Sequence, residues 1–161
     1  MSVNGLPKRR AILAFVLNRS GVLNKISMLI RRKMYNVETL TVCATQQPGI
    51  SRLTLTLREE SDAKTLQIVK QLEKMTEVIS AKELDIERSF WREVAIVKFE
   101  AEKELLAALD QFPLEFLDRR EHGLCVAQIA GTSKRIDDFI AAIGKEKVIE
   151  VARSGFTAME M

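Results

Sequence analysis

The sequence predicts an α+β fold made of two ferredoxin-like βαββαβ domains, covering residues 8–85 and 90–156. Three observations lead there. Residues 11–17 (AILAFVL) form a continuous apolar run of strand length, followed at once by helix spacing. Residues 50–58 (ISRLTLTLR) alternate apolar and polar without a break. The same order of elements then starts again near residue 93.

In the first half, Asn18-Arg19-Ser20-Gly21 reads as a turn-and-cap cluster after the first strand. Beyond it, Val22, Ile26, Leu29 and Ile30 fall on one helical face. Arg31, Arg32 and Lys33 crowd the last turn, where cations complement the helix dipole, and read as a solvated helix end. Residues 37–45 are rich in Val and Thr and predict a second strand, and Gln46-Gln47-Pro48-Gly49 is a turn. In the third strand, Leu53, Leu55 and Leu57 should face a core, with Arg52, Thr54, Thr56 and Arg58 on a polar face. Ser61 and Asp62 can cap a helix whose apolar face is Leu66, Val69 and Leu72, with Ile68 beside it. Residues 77–84 close the unit as its fourth strand.

The second half repeats the order more loosely. Residues 93–99 predict a strand and 102–112 a helix carrying Leu105, Leu106 and Leu109. Residues 114–119 and 124–130 pair as a hairpin around Glu121-His122-Gly123. Thr132 and Ser133 can cap a helix bearing Ile136, Phe139, Ile140 and Ile143, and residues 148–153 are the last predicted strand. No residue-level repeat accompanies this similarity of pattern. Two domains of this size each bury a thin core, so pairing with another surface would help them.

Composition excludes several classes. Net charge is +3 from 25 basic and 22 acidic residues, too small and too well mixed a surplus to point to nucleic acid. RNA-recognition domains share the βαββαβ order but need aromatics on the third strand, and residues 50–58 contain none. Cys43 and Cys125 each lie in an apolar segment, read as small buried hydrophobes, and form no C-x-x-C pair. No apolar run approaches the roughly 20 residues needed to cross a membrane, and no signal-type block follows the basic start, so the expected location is the cytoplasm.

The machinery of common enzymes is missing together. His122 is the only histidine and falls in a turn, where it reads as solvated. The glycines form neither dinucleotide nor phosphate-loop motifs. Gly131-Thr132-Ser133-Lys134 could bind an anion through helix amides, but a simple N-cap is the favoured reading. The chain is therefore expected to be a non-catalytic regulatory protein with no metal site and no cofactor of its own.

The informative segment is Leu17-Asn18-Arg19-Ser20-Gly21-Val22-Leu23. Free amides at a helix start attract a carboxylate. Gly21 lets a ligand approach the backbone, and the Asn18 amide can accept from an ammonium or donate to a carboxylate. An amino acid carries both groups side by side. A plain N-cap cluster with a turn glycine is the alternative reading.

Asn18-x-Ser20-Gly21-Val22-Leu23 in a βαββαβ unit resembles the ACT domain, an amino-acid-sensing module. Tyr35-Asn36-Val37-Glu38-Thr39-Leu40-Thr41-Val42, Ser51-Arg52-Leu53-Thr54, Gln128-Ile129-Ala130-Gly131-Thr132 and Glu150-Val151-Ala152-Arg153-Ser154-Gly155 resemble, in order and spacing, the small regulatory subunits of acetolactate (acetohydroxyacid) synthase. The resemblance runs from about Arg10 to Gly155. It implies an N-terminal ACT domain and an ACT-like C-terminal domain, paired in a homodimer. It also implies a catalytic (large) subunit as partner, which condenses two pyruvates, or pyruvate with 2-oxobutyrate, in valine, leucine and isoleucine synthesis. Thiamine diphosphate, magnesium and FAD would belong to that partner. The small subunit would activate it and confer feedback inhibition, usually by valine.

Carried over by position, the resemblance implies an effector site of Asn18, Ser20, Gly21, Val22 and Leu23, completed by Asn36 of the facing subunit. Two positions depart from the family. Met34 replaces a glycine before the aromatic, at a helix C-cap that favours the left-handed conformation, and Leu17 replaces a common acidic residue before the Asn. Two other classes compete with this reading: a free-standing ACT sensor controlling another enzyme or a transcription regulator, and an enzyme in its own right.

Overall fold

The computed structural model describes residues 8–120 and 123–161, so His122 and the expected turn at 121–122 lie outside the described residues. The chain divides into two compact units. The first contains the residues up to Phe90 together with Phe156–Met161, and the second is Trp91–Gly155.

In the first unit the element order is β1 (Arg9–Leu17), α1 (Val22–Arg32), β2 (Val37–Ala44), β3 (Ile50–Arg58), α2 (Asp62–Glu73) and β4 (Val78–Leu84). The sheet order is β2-β3-β1-β4, with every pairing antiparallel. Strand β1 is thus central. Its apolar run has both faces covered, as a strand without alternation should. Ile12, Ala14 and Val16 face the helices and form a core with Leu53, Leu55 and Leu57 of β3, Val22 and Ile26 of α1, and Ile68, Val69 and Leu72 of α2.

Three details of this unit differ from the sequence expectations. The buried face of α2 is Thr65, Ile68, Val69 and Leu72, while Leu66 is exposed. The helix is rotated so that Thr65, whose hydroxyl donates to the Ser61 carbonyl at 3.2 Å, lies inward instead. The polar face of β3 is not solvated either: Thr54 and Thr56 are buried, and the Thr56 hydroxyl lies 2.6 Å from that of Thr39. Part of that face is covered by a strand the sequence did not announce, β9 (Thr157–Glu160). The Arg52 guanidinium donates to the Ala158 carbonyl, Lys82 pairs with Glu160, and Arg9 lies 5.0 Å from the Phe156 ring centre. Four residues are too few to carry a pattern, so nothing in the sequence marks this strand. Finally, Cys43 is exposed rather than buried, because β2 is an edge strand.

The second unit holds β5 (Ser89–Glu100), which begins in the first, then α3 (Lys103–Leu109), β6 (Leu114–Arg119), β7 (Leu124–Gly131), α4 (Ser133–Ile143) and β8 (Val148–Arg153). The sheet order β6-β7-β5-β8 repeats that of the first unit. Ala95, Val97, Phe99, Ala127 and Ile129 pack under Leu109, Ile136, Phe139 and Ile143. The Phe139 ring meets Phe99 and Phe112 edge-on, at centre distances of 6.1 and 5.5 Å. Thr132 caps α4 by accepting from the Arg135 N–H. Buried Glu93 on β5 is neutralised by Arg153 of edge strand β8, which also reaches Asp137 at 2.7 Å.

Helix α1 ends in a Schellman motif. The Met34 N–H donates to the Arg31 carbonyl and the Tyr35 N–H to that of Ile30. Met34 takes φ +59°, alone among the described non-glycine residues in having a positive φ. A left-handed side-chain-bearing residue costs about 1–2 kcal/mol, partly offset by the lower chain entropy that a residue other than glycine has when unfolded. Met34 is 89% exposed and contributes almost no burial in return. Met34→Gly should therefore stabilise the chain by about 0.5–1 kcal/mol, seen as a rise in thermal midpoint; an unchanged or lowered midpoint would contradict the strain.

Arg10, only 4% exposed, holds the start of β1 to the start of α2. Its guanidinium donates to the Glu59 and Glu60 carbonyls and to the Glu83 and Asp62 carboxylates. Arg10→Met leaves those acceptors without their donor and should cost roughly 2–3 kcal/mol in urea denaturation. The hydrogen bond from Arg10 holds the Asp62 carboxyl below its usual range, and that from Lys25 does the same for Glu77. Groups depressed on folding add stability that is complete above their unfolded pKa of about 4 and is lost as pH falls through the folded values. Stability should thus decline below about pH 4.5, and Arg10→Met should make that decline shallower.

Candidate functional site

The turn between β1 and α1 is tied down from both sides. The Leu17 N–H donates to the Glu77 carbonyl and the Asn18 N–H to the Gly49 carbonyl, each at 2.8 Å. Lys25, on the first turn of α1, pairs with the Glu77 carboxylate. Gly21 is the N-cap residue, at φ +86° and ψ −12°, and no side chain caps the helix. The expected side-chain capping by the Asn18–Ser20 cluster is therefore absent, and the Asn18 and Ser20 side chains stand exposed without that duty.

The amides can be assigned one by one. The first helical bond is Lys25 N–H to the Gly21 carbonyl at 3.0 Å. The Val22 N–H is turned to the Arg19 carbonyl at 3.4 Å, and the Val22 side chain is in the core, so Val22 supplies structure rather than a donor. Among the described residues, the N–H groups of Gly21, Leu23 and Asn24 meet no backbone acceptor. Asn24 is a donor that sequence reading missed, although its place three residues after the cap would have predicted it. Exposed Arg19 adds positive charge beside the positive end of α1. Nothing obstructs the approach: a Cβ built on Gly21 would meet no atom within 4 Å. Three free amides, a side-chain amide, a hydroxyl and a cation form an open cradle suited to a carboxylate with a polar neighbour.

Asn36 is not part of this cradle within one chain. It precedes β2, whose Val37 pairs with Leu57, whereas Asn18 binds Gly49, just before Ile50 at the other end of β3. Roughly 25 Å of strand separates the two ends. Of the residues singled out, the structure gathers Asn18 to Leu23 and leaves Asn36 beside Met34 at the opposite end of the sheet. No described group of His, Cys, Asp and Glu could hold a metal ion, and no helix among the described residues is long and apolar enough to cross a membrane.

Comparison with known proteins agrees with the architecture. Residues 12–80 match the model of the AHAS small subunit-like ACT domain, and residues 92–161 match that of the small subunit of acetolactate synthase. The isozyme 3 small subunit of acetolactate synthase from Escherichia coli is 35% identical over 157 residues, covering 94% of each chain. This chain belongs to the acetolactate synthase small-subunit family. The acetolactate synthase small subunit of Bacillus subtilis is 31% identical over 154 residues, or 93% of this chain and 89% of that one. The crystal structure of the small subunit from Thermotoga maritima superposes with a TM-score of 0.88 at 27% identity, covering 96% of this chain and 98% of that one. The cradle at Gly21 thus sits in the ACT domain of a regulatory small subunit, and the synthase reaction belongs to the partner large subunit.

Proposed function

We propose that this chain binds and activates the thiamine-diphosphate catalytic subunit of acetolactate synthase in the cytoplasm, and that valine bound at the Gly21 cradle drives feedback inhibition. The observation that carries the reading is the set of free amides at Gly21, Leu23 and Asn24 beside an unused Asn18 side chain. The valine carboxylate accepts from the amides, and the Asn18 carbonyl oxygen accepts from its ammonium. Inhibition follows only if the liganded cradle favours a less active arrangement of the complex. The working domain boundaries are 8–85 and 90–156.

The position of Asn36 argues for a homodimer. Strand β2 is an edge with unpaired backbone groups. If two copies of β2 pair antiparallel about a two-fold axis, the start of one lies beside the end of the other. The Asn36 of the second copy then comes to the end of the sheet where Asn18 lies. Each effector site takes Asn18 from one protomer and Asn36 from its partner.

Two measurements on the complex with the catalytic subunit test this. Gly21→Asp puts a negative side chain where the effector carboxylate would sit, and Asp tolerates positive φ better than most residues. The variant should fold and still activate the synthase, while the valine concentration for half inhibition rises more than about tenfold, a loss of roughly 1.4 kcal/mol in binding. Unchanged inhibition would refute the site. Asn18→Ala and Asn36→Ala should each lose valine response alone. Mixed and reassembled, they should recover one native site per heterodimer, and failure to recover would refute the sharing of the site.

A further inference from the structure

The face of the first sheet that points away from α1 and α2 carries an open groove of about 660 Å³. Its floor is one row of directly paired residues, Cys43 on β2, Arg52 on β3, Phe15 on β1 and Ser80 on β4, so all four side chains point to the same face. Ile50, Ile79 and Met159 add apolar walls, and the β2–β3 hairpin closes one end with Thr45 and Gln46. The size is that of a small-molecule site.

The charge in this groove is unbalanced. Arg52 is partly buried against Phe15, its guanidinium carbon 5.8 Å from the ring centre. One terminal nitrogen donates to the Ala158 carbonyl, and the buried Nε–H finds no acceptor. No carboxylate pairs with Arg52 among the described residues, and no acidic side chain lines the groove. A half-buried cation with unfilled donors is stabilised by an anion, most strongly by a planar carboxylate.

We propose that the groove binds a small apolar monocarboxylate, its carboxylate on Arg52 and its hydrocarbon part over Phe15, Ile50, Ile79 and Met159. It shares no residue with the Asn18–Leu23 turn, so it stands or falls apart from the valine reading. The ligand class covers short branched or straight-chain carboxylic acids and 2-oxo acids.

Cys43 provides the reporter, since it is an exposed thiol on the floor of the groove, while Cys125 is buried with its thiol pushed up by burial. The rate at which a disulfide reagent modifies Cys43 in the full-length chain is measured with 4-methylpentanoate and with its uncharged amide. The carboxylate should slow the reaction saturably, about threefold at twice its dissociation constant, whereas the amide should not. Arg52→Gln should abolish the protection and Asn18→Ala should leave it intact. Ile79→Asp, at an exposed rim position, should abolish it without touching a buried group, which covers the case of Arg52→Gln failing to fold. Equal protection by the amide, protection surviving in Ile79→Asp, or no protection at all would overturn the proposal.

Discussion

Much of the first unit depends on one constraint, that β1 must be covered on both faces and paired on both edges. A strand whose residues 11–17 are all apolar cannot sit at the side of a sheet. With β3 on one edge and β4 on the other, β1 becomes the axis of the unit, and its end at Leu17 is where α1 must begin. The turn there is held by the Gly49 carbonyl on one side and the Glu77 carbonyl on the other. The cradle is therefore built at the end of the central, buried strand, although every polar group in it is exposed. Placing exposed donors at the end of a buried strand gives such a turn defined geometry without burying uncompensated amides.

The same topology separates Asn18 from Asn36. Because β1 and β2 are both antiparallel to β3, they run in the same direction, and a residue after one cannot meet a residue before the other. A site using both residues belongs to an assembly and not to a protomer. The free edge of β2 and the positive φ of Met34 lie on the route that would join them. The second face of the sheet tells a parallel story. Its polar row of Arg52, Thr54 and Thr56 is desolvated in part by the chain's own last residues, and Arg52 keeps a donor without a partner. A polar face in sequence is thus not the same as a wet face in the fold.

Much of this was legible from residue order. A continuous apolar run placed β1, and turn signals with period-2 and period-3.6 patterns placed seven more of the nine described strands and all four described helices, because most of those elements bury one face and must repeat accordingly. The turn at Gly21 was legible too, since a glycine between a buried strand and an apolar helix face marks where the chain turns into the helix. Met34 was flagged by its departure from a family glycine, and its left-handed backbone shows what that glycine served.

What the sequence by itself determined is the element order, the doubled architecture, the family and the location of the cradle, all of which follow from local periodicity and short-range cap chemistry. Only the tertiary structure decided which amides stay free, that Val22 is a core residue and not a donor, that Leu66 faces outward and Thr65 inward, and that Asn36 lies at the far end of the sheet. It alone showed the last strand on the sheet's second face and the unbalanced charge of Arg52 beneath it. The physical reason is range. Patterns record what each residue needs from its immediate neighbours, whereas the partners of an amide, the rotation of a helix and the cover on a sheet are supplied by residues distant in the chain.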